Sequence, residues 1–195
     1  MNGAQRTGAQ RAFVAVRPSE GALDAVADAV GRVQGVSAGL RWVERDDWHL
    51  TLQFLGRVRD VAGVIEALSA MVGSERPFWC RLGGGGAFPS ASRARVVWLG
   101  VVEGALSLES LARAVADCLT VLGYEPDERP LHPHLTVARL SRAVSAGTVV
   151  EALGAAPVGD AWQAARIGLY ESRPSSRGAR YRLLADLPLG VVEGA

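Results

Sequence analysis

The chain contains no lysine; all 21 of its basic residues are arginine. That absence removes several chemistries at once. A phosphate-binding-loop lysine, a Schiff-base lysine and a lysine that accepts a nucleotidyl group are all impossible. Cysteine is almost as scarce. Cys80 and Cys118 lie far apart and form no CxxC, so they read as small buried apolar residues of a reducing compartment. No apolar run approaches the length of a membrane span. The polar, Gly-rich residues 1–11 lack the apolar core of a secretory signal behind them. The expectation is a cytoplasmic protein with no membrane partner. With a formal net charge of +1, no long electrostatic track for nucleic acid is available, so any RNA is expected to be held by its end in a local pocket.

What is present suffices for one good-sized core or two closely packed lobes, since 49% of the 195 residues are hydrophobic and 21% charged. Ala12 to Val16 reads as a strand. Pro18 and Ser19 open a helix with Leu23, Val26, Ala27, Val30 and Val33 on one face, and Gly35 ends it. Trp48 to Leu55 reads as a strand, after which Asp60 caps a second helix. The second half repeats the order. A strand from Arg95 to Val102 leads to a helix from Gly104 to Leu122, a strand from His134 to Leu140, and a helix capped by Ser141 that ends near Leu153. Further strands are expected at Phe78–Leu82, Trp162–Tyr170 and Arg180–Leu187. Gly83 to Gly86 lacks a following Gly-Lys-Ser/Thr, so it is not a phosphate loop and reads as a flexible turn near a cleft mouth. The duplication predicts an α+β fold of two lobes related by an approximate two-fold axis, each a mostly antiparallel sheet backed by helices. A single domain of two intertwined lobes over residues 1–195 is expected, with 1–10 a disordered tail.

Both halves carry the tripeptide His-Leu-Thr. Alternation along a strand puts His49, Thr51 and Gln53 on one face, with Leu50, Leu52 and Phe54 facing a core. His134 and Thr136 likewise share a face opposite Leu135 and Val137. A single His-x-Thr is a weak signal. The chain has only three His and five Thr, so two of three His with Thr at +2 has odds on the order of a few in a thousand. Two imidazoles suit a reaction that needs one general base and one general acid near neutral pH. Two threonine hydroxyls suit donation to phosphoryl oxygens whose charge grows in the transition state. The chemical rival is zinc, through the His132-x-His134 pair with His49, Asp46 or Asp47 as a third ligand, but no metal spacing supports it. His132 reads instead as a strand-entry or rim residue.

The segments RAFVAV, WHLTLQFLG, VVWLGV and HPHLTVARL, followed by LYESRPSSRGARYRLLADLPL, resemble the bacterial RNA 2',3'-cyclic phosphodiesterases of the 2H phosphoesterase superfamily, also called 2'-5' RNA ligases. The resemblance runs in order from Arg11 to Leu189. It implies a bilobal fold with the two motifs facing a central cleft, no metal and no cofactor. It further implies hydrolysis of a 2',3'-cyclic phosphate RNA end to a 2'-phosphate, with His49 as proton donor, His134 as proton acceptor, and Thr51 and Thr136 on the phosphate oxygens. Arg139 matches an arginine associated with substrate phosphate, yet simple alternation puts it on the opposite face from His134 unless a bulge intervenes. Phe13, Trp42 and Trp48 are candidates to stack a terminal base. Arg41 has no assignable role beyond a backbone contact. Without lysine, any joining must reverse cyclic-phosphate opening rather than pass through an adenylate. Two alternatives stand beside the RNA-end reading: a small cyclic nucleotide or ADP-ribose cyclic phosphate as substrate, and a non-catalytic RNA-end-binding module. No protein partner is implied, and a monomer is expected.

Overall fold

The computed structural model of the protein describes residues 10–35, 39–126, 129–175 and 178–190; apart from Gln10, the expected tail lies outside them. Helix α1 (Glu20–Val33) starts where the sequence says it should. The Ser19 hydroxyl accepts the Ala22 N–H at 3.3 Å, and Leu23, Val26, Val30 and Val33 are buried along one face. Asp60 does the same for α2 (Val61–Val72), accepting the Gly63 N–H at 2.9 Å. Helix α3 (Ala105–Thr120) follows Gly104, which at φ 84° adopts a conformation that glycine tolerates best. Helix α4 is short, Gly147–Leu153. Among the described residues no helix is long and apolar enough to cross a membrane.

The described strands form one sheet: β1 (Gln10–Val16), β2 (Arg41–Trp42), β3 (Leu50–Val58), β4 (Phe78–Phe88), β5 (Ala94–Glu103), β6 (His134–Val144), β7 (Pro157–Ala164), β8 (Arg166–Ser175) and β9 (Gly178–Pro188). Their order is β7-β4-β5-β6-β3-β1-β8-β9, with β2 added to β6 and every pairing antiparallel. A pseudo-two-fold axis between β6 and β3 therefore exchanges β5 with β1, β4 with β8 and β7 with β9. The two halves meet on a narrow seam, the single register pair Leu50–Leu135, both fully buried. The helices cross over it. α1 follows β1 yet packs on β7 and α4 of the other half, while α3 follows β5 yet packs on β3. This α+β, duplicated, mostly antiparallel architecture is the one the repeat predicted.

Four local expectations fail for identifiable reasons. Gly83 to Gly86 is no turn but the centre of β4. Three of them, Gly83, Gly85 and Gly86, admit close neighbours: a Cβ on Gly85 would lie 2.6 Å from the Val150 carbonyl oxygen and 2.7 Å from Leu153 Cβ, and one on Gly86 would run into the Trp98 ring. Ser141 does not cap a helix. Strand β6 continues through it because Val144 still pairs with Ala94, and the helix begins only after Ala146, whose N–H bonds Ala91 at 2.7 Å. The run Trp162–Tyr170 is two strands, since Ala164 pairs with Phe78 in one half and Ile167 with Leu187 in the other. No glycine or proline marks the crossing at Ala165. Finally, Cys80 is buried as expected, but Cys118 is half-buried and its thiol donates to the Ala67 carbonyl at 3.2 Å.

Candidate active site

The helices cover the sheet face that carries Leu50, Leu52, Leu135 and Val137; the opposite face carries both histidines. His49 stands one residue before β3, at the exit of a single 3-10 turn, and His134 opens β6. Each imidazole is anchored alike. His49 Nδ1 lies 2.7 Å from the Asp47 carbonyl oxygen, and His134 Nδ1 lies 2.7 Å from the His132 carbonyl oxygen. A carbonyl only accepts, so each bonded Nδ1 carries the hydrogen and each Nε2 keeps its lone pair. Neither Nε2, and neither the Thr51 nor the Thr136 hydroxyl, has a protein partner among the described residues. Carrying the Leu50–Leu135 register one residue each way sets His49 opposite Thr136 and Thr51 opposite His134. Two donors and two imidazole lone pairs thus share one side of the seam.

Aromatic rings from the flanking strands box each histidine. Phe13 of β1 lies 4.7 Å from the His49 ring, Tyr181 of β9 4.9 Å edge-on, and Tyr170 of β8 6.4 Å. Across the axis, Phe88 of β4 lies 5.0 Å from His134 and Trp98 of β5 6.1 Å. Burial among these rings pushes the His49 pKa down from 6.5 to about 4, chiefly because the charged form loses water. The bond to the Asp47 carbonyl opposes this, while the charges of Arg139 and His134 add to it. The His134 pKa is lowered by the same leading cause, with His132 and Arg139 contributing. Both rings are therefore neutral near pH 7 when the site is empty.

The facing of Arg139 follows from a β-bulge. Ala138 pairs with Val97 but Thr136 with Trp98, so Val137 is the extra residue. Val137 and Ala138 are both buried, alternation slips by one, and Arg139 returns to the face of His134 and Thr136. β3 contains the same device. Thr51 pairs with Ala15 and Gln53 with Val14, leaving Leu52 extra. This overturns two expectations at once. Gln53 points away from the cleft, buried, and donates to the Glu125 carbonyl at 3.0 Å. Phe54 is not a core residue but 69% exposed, its ring 6.1 Å from Phe13 on the cleft side.

Of the aromatic candidates, Trp48 is core, Phe13 is buried against His49, and only Trp42, half-buried, borders open space. Sequence reasoning missed Tyr170 and Tyr181, and it weighed Asp47 only as a metal ligand. Asp47 is 5% exposed; it accepts the Tyr181 N–H at 3.2 Å, pairs with Arg180 at 3.3 Å, and its own carbonyl orients His49. Its pKa is raised by burial, against the pull of the Tyr181 N–H and Arg180. His132 is exposed at the rim, 4.8 Å from Trp98. Among the described residues no three His, Cys, Asp or Glu side chains converge as a metal-ligand set.

The chain is 36% identical over 152 residues to an RNA 2',3'-cyclic phosphodiesterase of Aeropyrum pernix, covering 76% of this chain and 85% of that protein. It is 32% identical over 186 residues to one of Geobacillus stearothermophilus, covering 93% of this chain but 58% of that longer protein. The crystal structure of E. coli LigT complexed with 3'-AMP superposes with a TM-score of 0.71 at 27% identity, covering 93% of this chain and 98% of LigT. The profile of the 2'-5' RNA ligase superfamily matches residues 22–174, more than half of the chain, and the chain belongs to that superfamily.

Proposed function

We propose that the protein hydrolyses the 2',3'-cyclic phosphate at an RNA end to a 2'-phosphomonoester by two-histidine acid–base catalysis. Water attacks phosphorus while His134 Nε2 takes its proton; the bond from phosphorus to the 3'-oxygen breaks as His49 Nε2 delivers a proton to that oxygen. Thr51 and Thr136 donate to the non-bridging oxygens, and Arg139 offsets their charge. The observation that carries this reading is the paired anchoring of the imidazoles, each fixed at Nδ1 by a carbonyl two residues back, with Nε2 free. The acid role needs a proton that the empty site does not hold. An anionic phosphate seated between the rings and Arg139 supplies the charge that favours it. A 5'-hydroxyl in place of water opens the ring in the same way: its oxygen bonds phosphorus, the bond to the 3'-oxygen breaks, and a 2'-5' linkage results, driven by the strain of the cyclic ester. We read the protein as a single-domain monomer acting in the cytoplasm without metal or cofactor.

A defined oligonucleotide with a 2',3'-cyclic phosphate tests the scheme. The expected product is the 2'-phosphate, formed at an undiminished rate in chelator. His49→Ala and His134→Ala should each cost on the order of 10² to 10⁴ in turnover. An unchanged rate in either variant refutes that residue's role, and chelator loss restored by zinc refutes the metal-free mechanism. The 3'-AMP complex of the related LigT favours a second reading, a small cyclic nucleotide as substrate.

A further inference from the structure

Beside the histidine centre lies a cavity of about 160 Å³, walled by Arg41, Trp42, Arg139, Arg180, Tyr181 and Asp47. Three of these also act on His49. Tyr181 packs edge-on against its ring, the Asp47 carbonyl holds its Nδ1, and Arg139 contributes to its depressed pKa. The cavity thus opens from the His49 side of the seam.

Its charges are unevenly matched. Asp47 is committed to Arg180 and to the Tyr181 N–H, and Glu44 stands exposed at the rim. Neither Arg41 nor Arg139 has a carboxylate partner among the described residues. They are register neighbours, Arg41 on β2 opposite Arg139 on β6, with the ladder extended by Val43 N–H to the Val137 carbonyl at 2.9 Å. Such neighbours stand about 5 Å apart at Cα. The Arg41 guanidinium is set over Gly178 of the β8–β9 hairpin, where a Cβ would lie 3.3 Å from its Cζ. Arg139 already serves the terminal cyclic phosphate, so Arg41, without a carboxylate partner among the described residues, is the guanidinium left over at this phosphate-sized hollow.

We propose that Arg41, with Arg180 behind it, binds the phosphodiester one nucleotide upstream of the cyclic phosphate, so that the site selects oligonucleotide ends over mononucleotides. The inference rests on the reaction proposed above. In that scheme His49 faces the departing 3'-oxygen, so the terminal ribose, and the chain continuing from its 5'-oxygen, lie on the side where this cavity opens. Arg139 sits between the two phosphates and Arg41 at the outer one.

The test compares kcat/KM for adenosine 2',3'-cyclic phosphate, for the dinucleotide ApA ending in a 2',3'-cyclic phosphate, and for that dinucleotide with an uncharged methylphosphonate linkage. The charged dinucleotide is expected to exceed the mononucleotide by about tenfold or more, mainly through KM, and the methylphosphonate to forfeit that gain. Arg41→Gln should collapse the ratio of charged dinucleotide to mononucleotide, with no further loss from the methylphosphonate. The advantage should also fall more steeply with salt than mononucleotide turnover does. Equal kcat/KM for the charged and methylphosphonate dinucleotides in the native protein overturns the proposal, whatever the variant does. An unchanged ratio in Arg41→Gln removes Arg41 from the site. Failure to turn over any of the three substrates would instead sink the underlying reaction.

Discussion

Burial of His49 makes the fold sensitive to acid in a way that a single substitution should remove. In the folded chain the ring protonates at about 4, against 6.5 for an exposed histidine. A folded-state pKa below the unfolded one means that the unfolded chain takes the proton first. The corresponding stability is complete above pH 6.5 and drains away as pH falls toward 4. At about 1.4 kcal/mol per pH unit, the loss from this one residue is about 3 kcal/mol. Urea denaturation of the native protein and of His49→Gln at pH 7, 6, 5 and 4.5 measures it. The variant should lose less stability over this range, the two curves converging by about 2 kcal/mol at pH 4.5. Parallel curves would show that the ring is solvated. The same equilibrium bears on catalysis. With a pKa of about 4, only about one site in a thousand holds the acid proton at pH 7. Inorganic phosphate at saturation should therefore raise the His49 midpoint, followed by the NMR shift of its Cε1 proton. A midpoint that stays near 4 in the complex removes His49 as the acid.

Both imidazole pKa values are lowered, so the bell-shaped kcat/KM profile, which reports the free enzyme, should have both limbs below pH 6.5. A limb at or above 7 in the free enzyme contradicts the burial of the rings. Arg139→Ala removes a charge that depresses both histidines; both midpoints should rise, while kcat/KM falls on the order of 10². A variant that loses activity with unmoved midpoints would place Arg139 away from the pair. Gly85→Ala forces a Cβ against Val150 backbone and Leu153, so a loss of about 1–3 kcal/mol in urea denaturation is expected. A neutral outcome would mean that α4 moves freely on β4.

The first three helices and most strands were legible because their signals are local. Ser19 and Asp60 are cap residues followed by apolar periodicity, and the structure uses both as caps. The paired tripeptides were legible because a repeat supplies its own control. Illegible features depend on pairing between distant segments. Nothing near Ser141 reveals that Ala94 waits opposite Val144, and nothing near Ala165 reveals that the chain leaves β4 for β9. Gln53 and Phe54 were assigned to the wrong faces because a bulge is set by the partner strand, here β1. Arg139 was the exception: the sequence could state that a bulge was needed, although not that Val137 forms it.

Those two bulges explain how a duplicated site acquires two different ends. Histidine, threonine and the carbonyl anchor are repeated across the pseudo-two-fold axis, so by themselves they cannot distinguish leaving group from nucleophile. In each motif the bulge follows the threonine and turns the residue five positions after the histidine toward the cleft. On β3 that residue is Phe54, and on β6 it is Arg139. One end therefore gains an exposed aromatic surface and the other a cation, from the same backbone distortion. The surroundings diverge accordingly. His49 is enclosed by Phe13, Tyr170 and Tyr181 and carries the pKa of about 4, while His134 stands beside Phe88, Trp98 and the exposed His132. The two ends of the seam therefore differ in desolvation and charge, the asymmetry that the proposed acid and base roles require.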